Sequence, residues 1–81
     1  MESYYVYAIK SIKYNYIYVG MSENPEKRLK EHNIGKTKSN KRYIPFEIIF
    51  TEFVGSRHQA RQREKYFKSG CGKEYLKTLI K

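Results

Sequence analysis

The sequence predicts an α+β protein, a three-stranded antiparallel sheet flanked by helices in the order β-β-α-β-α-α. Three observations predict it. Three segments are rich in aromatic and β-branched residues, other segments carry helix-capping residues at both ends, and the 81 residues contain no repeat or linker that would divide them. The chain therefore reads as one domain over 1–81, of a size at which folding buries only about 60% of the unfolded chain's surface.

The first two strands are "YYVYAIK" at 4–10 and "YIYVG" at 16–20, joined by the short "SIKYN", which reads as a hairpin. Six of the nine tyrosines fall in this stretch. A register with Tyr7 opposite Tyr18 puts both phenols on one face. Most of the tyrosines are expected to supply apolar area, with the hydroxyl at the rim.

"NPEKRLKEHNIG" is bounded as a helix: Asn24 as N-cap, Pro25 at the first helical position, Glu26 in the first turn and Gly35 as the stop. Arg28 and His32 are four residues apart and share a face, with Leu29 and Ile34 expected to serve the core. "KTKSNKRY" has no periodicity and reads as an exposed basic loop. "PFEIIFTEFV" is the third strand, with Phe46, Ile48 and Phe50 on one face and Ile49 and Phe53 on the other, which calls for a sheet covered on both sides.

Ser56 and Gln59 have capping-box spacing and open a helix that ends at Gly70. A last helix, "KEYLKTLI", places Tyr75, Leu76, Leu79 and Ile80 on one side. In the longer helix Ala60, Glu64 and Phe67 form the inward stripe, with Arg61, Arg63 and Lys65 around the acid. An inward carboxylate is costly unless it is paired, here with Arg28 or a lysine, or holds a metal.

Composition narrows the function. Seventeen Lys+Arg against eight acids give a net charge of +9, so a polyanion is the expected partner. All eight acids are glutamates, and a two-metal centre built from several carboxylates is not expected. One cysteine, Cys71, excludes an internal disulfide and a multi-cysteine zinc site and reads as an inert turn residue. No apolar run approaches the roughly 18 residues of a membrane span, so a cytoplasmic protein without membrane contact is expected.

"YVY" at 5–7, "YVG" at 18–20, "NPEKRLKEHNIG" and "ARQREKYFKSG", in that order, resemble the GIY-YIG nuclease superfamily. The similarity is greatest to small stand-alone bacterial members related to the catalytic N-terminal domain of the excision-repair nuclease. It implies a three-stranded antiparallel sheet with flanking helices. It also implies a metal-dependent endonuclease that leaves 5′-phosphate and 3′-hydroxyl ends, in repair, recombination or mobile-element processing.

Carried over position by position, the resemblance implies Tyr7, Tyr18, Arg28, His32 and Glu64 as catalytic, with Glu64 binding Mg²⁺ or Mn²⁺. Gly20 closes the second motif, where a side chain would crowd an approaching backbone. Tyr7 is expected to have its phenol pKa lowered by cations and metal. Whether Tyr7, Tyr18 or His32 is the general base stays open. Met21 and the absence of an asparagine in "CGKEYLK" depart from many members. The nucleic acid, expected to be DNA, would be gripped by Lys36, Lys38, Lys41, Arg42, Arg61 and Lys68. The alternative function is a non-catalytic nucleic-acid-binding module using the same basic surface. As a lone domain it is expected to be structure-selective, weakly specific or dependent on a protein partner for specificity.

Overall fold

The computed structural model describes residues 2–80. It has strands β1 (Tyr4–Ser11), β2 (Ile17–Ser22) and β3 (Phe46–Gly55) and helices α1 (Pro25–Asn33), α2 (Arg57–Lys68) and α3 (Gly70–Lys77). The order is β-β-α-β-α-α, as the sequence implies. The sheet order is β2-β1-β3, with both pairings antiparallel, so the aromatic first strand is central.

The central strand is apolar on both faces because helices cover both. Val6, Ala8 and Val19 pack with Ala60 and Phe67 of α2 and Leu76 of α3, while Tyr7, Ile9 and Phe46 pack with Leu29 of α1 and with Tyr16, Tyr18 and Tyr43. Two small cores therefore flank one sheet, and Tyr7 and Tyr18 belong to the α1 side.

The helices begin and end where their caps dictate. Asn24 Oδ1 accepts from the Lys27 N–H at 3.1 Å and Pro25 opens α1. Gly35 leaves the helix at a φ of +84°, a conformation that costs glycine nothing. Asn33, the last residue of α1, pairs with Phe46 as a strand would: its Nδ2 donates to the Phe46 carbonyl at 3.1 Å and its Oδ1 accepts from the Phe46 N–H at 2.7 Å. That side chain ties the end of α1 to the start of β3. On the opposite face Arg63 makes two hydrogen bonds to Glu52 of β3, at 2.7 and 3.0 Å, and lies over the Phe67 ring. Arg63 is thus a clamp between α2 and the sheet, turned away from Glu64.

Four local expectations change. Ile34 is 72% exposed and outside both cores, because it lies beyond the last turn of α1. The basic segment after α1 forms a 3-10 helix, Lys38–Tyr43, around the fully buried Asn40. The pairing of β1 with β3 shifts between Ala8 and Ile9, which face Phe50 and Ile48. The extra residue reverses the alternation, so Phe46 and Ile48 join the α1-side core and Phe50 joins Phe67. Finally, α3 starts at Gly70, three residues earlier than expected, because Ser69 ends α2 and caps α3 as well. Of its expected apolar side only Leu76 is fully buried, while Cys71 lies exposed in its first turn.

Candidate active site

The site starts from the register of the hairpin. Tyr7 pairs with Gly20 and Ile9 with Tyr18. The two tyrosines therefore share a face as diagonal neighbours, not as opposite residues. The offset explains Gly20. A Cβ there would lie 2.6 Å from Tyr7 Oη, 2.8 Å from Tyr7 Cζ and 3.0 Å from Tyr18 Cε2. What a side chain at position 20 would crowd is the Tyr7 phenol, which leans across β2 through the space the glycine leaves, and not a backbone. Gly20→Ala should lower stability by about 1–3 kcal/mol, since Tyr7 is fully buried and cannot swing out. Urea denaturation checks this, and an unchanged midpoint would mean that β2 parts from Tyr7 freely.

Tyr7 Oη lies 3.2 Å from His32 Nε2. The other ring nitrogen, Nδ1, faces the Asn40 amide, with Oδ1 at 3.4 Å and Nδ2 at 3.2 Å. All three side chains are buried, His32 and Asn40 completely. When Asn40 Oδ1 accepts the Nδ1–H, Nε2 is left to accept the Tyr7 hydroxyl proton. The result is a buried phenol, imidazole and amide chain drawn from a strand, a helix and a 3-10 turn. Asn40 is the member the sequence does not disclose, because nothing in "KTKSNKRY" distinguishes a buried asparagine from a solvated one.

Burial sets the protonation states. It pushes the Tyr7 phenol above its ordinary pKa, with the neighbouring Arg28 cation pulling the other way and Tyr18 and Glu64 adding to the rise. The expected lowering by cations is therefore outweighed by burial. Burial pulls His32 below its ordinary value of 6.5, against a hydrogen bond to Asn40 and with help from Arg28. Near pH 7 the pair is a neutral phenol beside a neutral imidazole.

Tyr18 connects this chain to α2. Its ring is 6.4 Å from that of Tyr7 and 4.9 Å from that of His32, and Lys68 Nζ lies 6.0 Å from its centroid. Lys68 Nζ is also 3.4 Å from Glu64 Oε2, and Arg61 Nε is 3.7 Å from Oε1. Glu64 is 13% exposed, and its partners are a lysine and an arginine of its own helix rather than Arg28. Arg28 is paired instead with Glu31, Nη1 to Oε1 at 2.5 Å, and Glu31 is held below its ordinary pKa chiefly by that contact. Tyr7, Tyr18, Arg28, His32 and Glu64 are thus brought together from four elements.

The expected basic residues divide into two sets. Arg61 and Lys68 flank Glu64, whereas Lys36, 3.9 Å from Glu31, and Lys38, Lys41 and Arg42 line the segment after α1. A cleft of about 510 Å³ adjoins the site, reaching it through Arg28 and Arg61, with Lys27 and Arg57 also in its wall. Those last two cations were not singled out by spacing, and both lie in the first turn of their helices. Met21 lines the same cleft and packs on the α2-side core.

The sequence matches the model of the GIY-YIG catalytic domain over residues 3–76. The chain belongs to the GIY-YIG family. Among its relatives, a UPF0213 protein of Staphylococcus haemolyticus is 34% identical over 80 residues, 98% of this chain and 96% of its own. The UPF0213 protein YazA of Bacillus subtilis is 39% identical over 68 residues, 83% of this chain and 68% of its own. One from Clostridium perfringens is 37% identical over 76 residues, 93% and 81% of the two chains. GIY-YIG membership makes this a nuclease-family domain, whose class of substrate is nucleic acid. Among the described residues no helix is long and apolar enough to cross a membrane.

Proposed function

We propose that this GIY-YIG protein is a metal-dependent endonuclease that hydrolyses DNA phosphodiester bonds to 5′-phosphate and 3′-hydroxyl ends. The observation that carries the reading is the buried Tyr7–His32–Asn40 chain beside Tyr18, Arg28 and Glu64. A sheet needs apolar bulk at position 7, and Phe would supply it. A hydroxyl within hydrogen-bond reach of an imidazole nitrogen can also pass a proton to it, which supports a role in the chemistry.

A phenol with a raised pKa does not ionise alone near neutral pH, so Tyr7 needs a base within hydrogen-bond reach. Neutral His32 fills that role: Nε2 takes the Tyr7 proton while Asn40 holds Nδ1–H. The Tyr7 oxygen then accepts a proton from the attacking water, and Tyr18 contributes a second phenol beside it. Arg28, released from Glu31, holds the scissile phosphate by paired donors.

The donor set suits Mg²⁺. Among the described residues no group of three or more His, Cys, Asp or Glu could cage an ion, which does not fit zinc. Mg²⁺ keeps most of its water and takes one or two carboxylates with phosphate oxygens, and Glu64 is one such carboxylate, restrained only by long ion pairs to exposed side chains. Bound there, the ion would offset charge on the phosphate and the leaving 3′ oxygen. The surrounding cations Lys27, Arg57 and Arg61 would accommodate the neighbouring phosphates.

Supercoiled plasmid incubated with the protein and Mg²⁺ should be nicked, and the nicks should be closed by DNA ligase without prior end repair. Binding without nicking would favour the non-catalytic module, in which Arg61 and Lys68 keep the Glu64 carboxylate occupied. Nicks that ligase cannot seal would contradict the proposed ends.

A further inference from the structure

The hairpin tip carries two large apolar side chains in solvent, Ile12 at 57% and Tyr14 at 52% exposure. Exposed residues on a floppy loop would need no explanation, but this tip is fixed. Ser11 is fully buried, and its Oγ accepts from the N–H groups of Lys13 at 3.2 Å and Tyr14 at 3.0 Å. The Ile12 N–H donates to the Pro45 carbonyl at 2.8 Å, tying the tip to the start of β3. Lys10 Nζ donates to the Ser11 and Tyr14 carbonyls at 2.8 and 3.3 Å. Tyr14 is therefore presented in one place, with its ordering entropy already spent in folding.

The ring is also connected to the site. Tyr14 meets Tyr43 edge to face at 5.7 Å, and Tyr43 stacks on Tyr16 at 3.9 Å with 6° between the planes. Tyr16 lies 6.1 Å from Phe46, which lies 6.0 Å from His32. A row of rings thus leads from the tip to the imidazole. The two segments around it are cationic: 10–16 and 36–44 contain Lys10, Lys13, Lys36, Lys38, Lys41 and Arg42 and no acid, although Glu47 of β3 pairs with Lys10. Arg42 places its guanidinium 5.4 Å from the Tyr43 centroid.

We infer that the Tyr14 tip stacks on an unpaired base of the DNA strand, so that the substrate class is DNA with a single-stranded segment. The inference rests on the nuclease reading and adds the form of the substrate. Cations attract any nucleic acid, but an exposed aromatic face is of use only to a base that has left its own stack. In the interior of a duplex both faces of every base are covered by its neighbours, and Tyr14 has nothing to stack on.

Fluorescence anisotropy in EDTA, where no cutting occurs, tests this with a labelled single strand of about 20 nucleotides and its duplex, longer than the roughly 4 to 16 that one small fold covers. Tyr14→Ala should weaken single-strand binding roughly 5-fold to 150-fold and leave duplex binding within about twofold. Tyr14→Phe, which keeps the ring, should bind like the parent. Loss of affinity for both forms equally, or for neither, overturns the inference and leaves the nuclease reading standing. A parent protein that binds neither strand form overturns both.

Discussion

Tyr7→Phe should reduce the rate of DNA cleavage by about 10²- to 10³-fold while leaving the sheet intact. The substitution removes one oxygen from a ring that stays buried against Ile9 and Phe46. Its structural cost is the unpaired His32 Nε2, about 1–3 kcal/mol, which chemical denaturation measures separately from activity. A purely structural tyrosine would show that cost and no more. The pH profile gives a second readout. His32 accepts a proton only while neutral, and burial holds its pKa below 6.5. The parent's rate should therefore hold down to about pH 6.5 and fall as the pH drops through the lowered His32 value. The residual rate of Tyr7→Phe should lose that acid limb. Stability has the same sign: below 6.5 the unfolded chain binds a proton at this position before the folded protein does, so acid progressively removes stability. A Tyr7→Phe rate within about twofold of the parent would remove Tyr7 from the chemistry.

The fold was legible because its punctuation is local. Asn24, Pro25, Gly35 and Ser56 each act within a few residues, and the elements they bound form where those residues stand. Long-range choices were not legible. The shift between Ala8 and Ile9 is decided by two strands settling together, and it moves Phe50 to the opposite core from Phe46 and Ile48. Likewise the Tyr7–Gly20 register, which makes the glycine a recess for the phenol, follows from a hairpin connection that period-two patterning cannot count.

The same division holds at the site. Glu64 on the inward stripe of α2 and the shared face of Arg28 and His32 follow from helical spacing. Asn40 does not, since its role depends on a 3-10 turn folding back onto His32. Nor does the partner of Arg28: Glu31, three residues on, has the spacing for an ion pair, yet only the structure shows it occupied while Glu64 is held from its own helix. The direction of the Tyr7 shift was also hidden, because burial, a property of the assembled sheet, outweighs the nearby cation.

Glu64 is the carboxylate set beside Tyr7, Tyr18 and their basic surroundings. Its ion pairs are to exposed side chains, which contribute about 0–1 kcal/mol, so Glu64→Ala should fold with nearly the parent's stability. The decisive measurement is single-turnover nicking of supercoiled plasmid by parent and Glu64→Ala proteins at saturating Mg²⁺. Cleavage by the parent and a loss of at least about 10²- to 10³-fold in the variant are expected. Nicking by Glu64→Ala at the parent's rate would contradict the role proposed for Glu64.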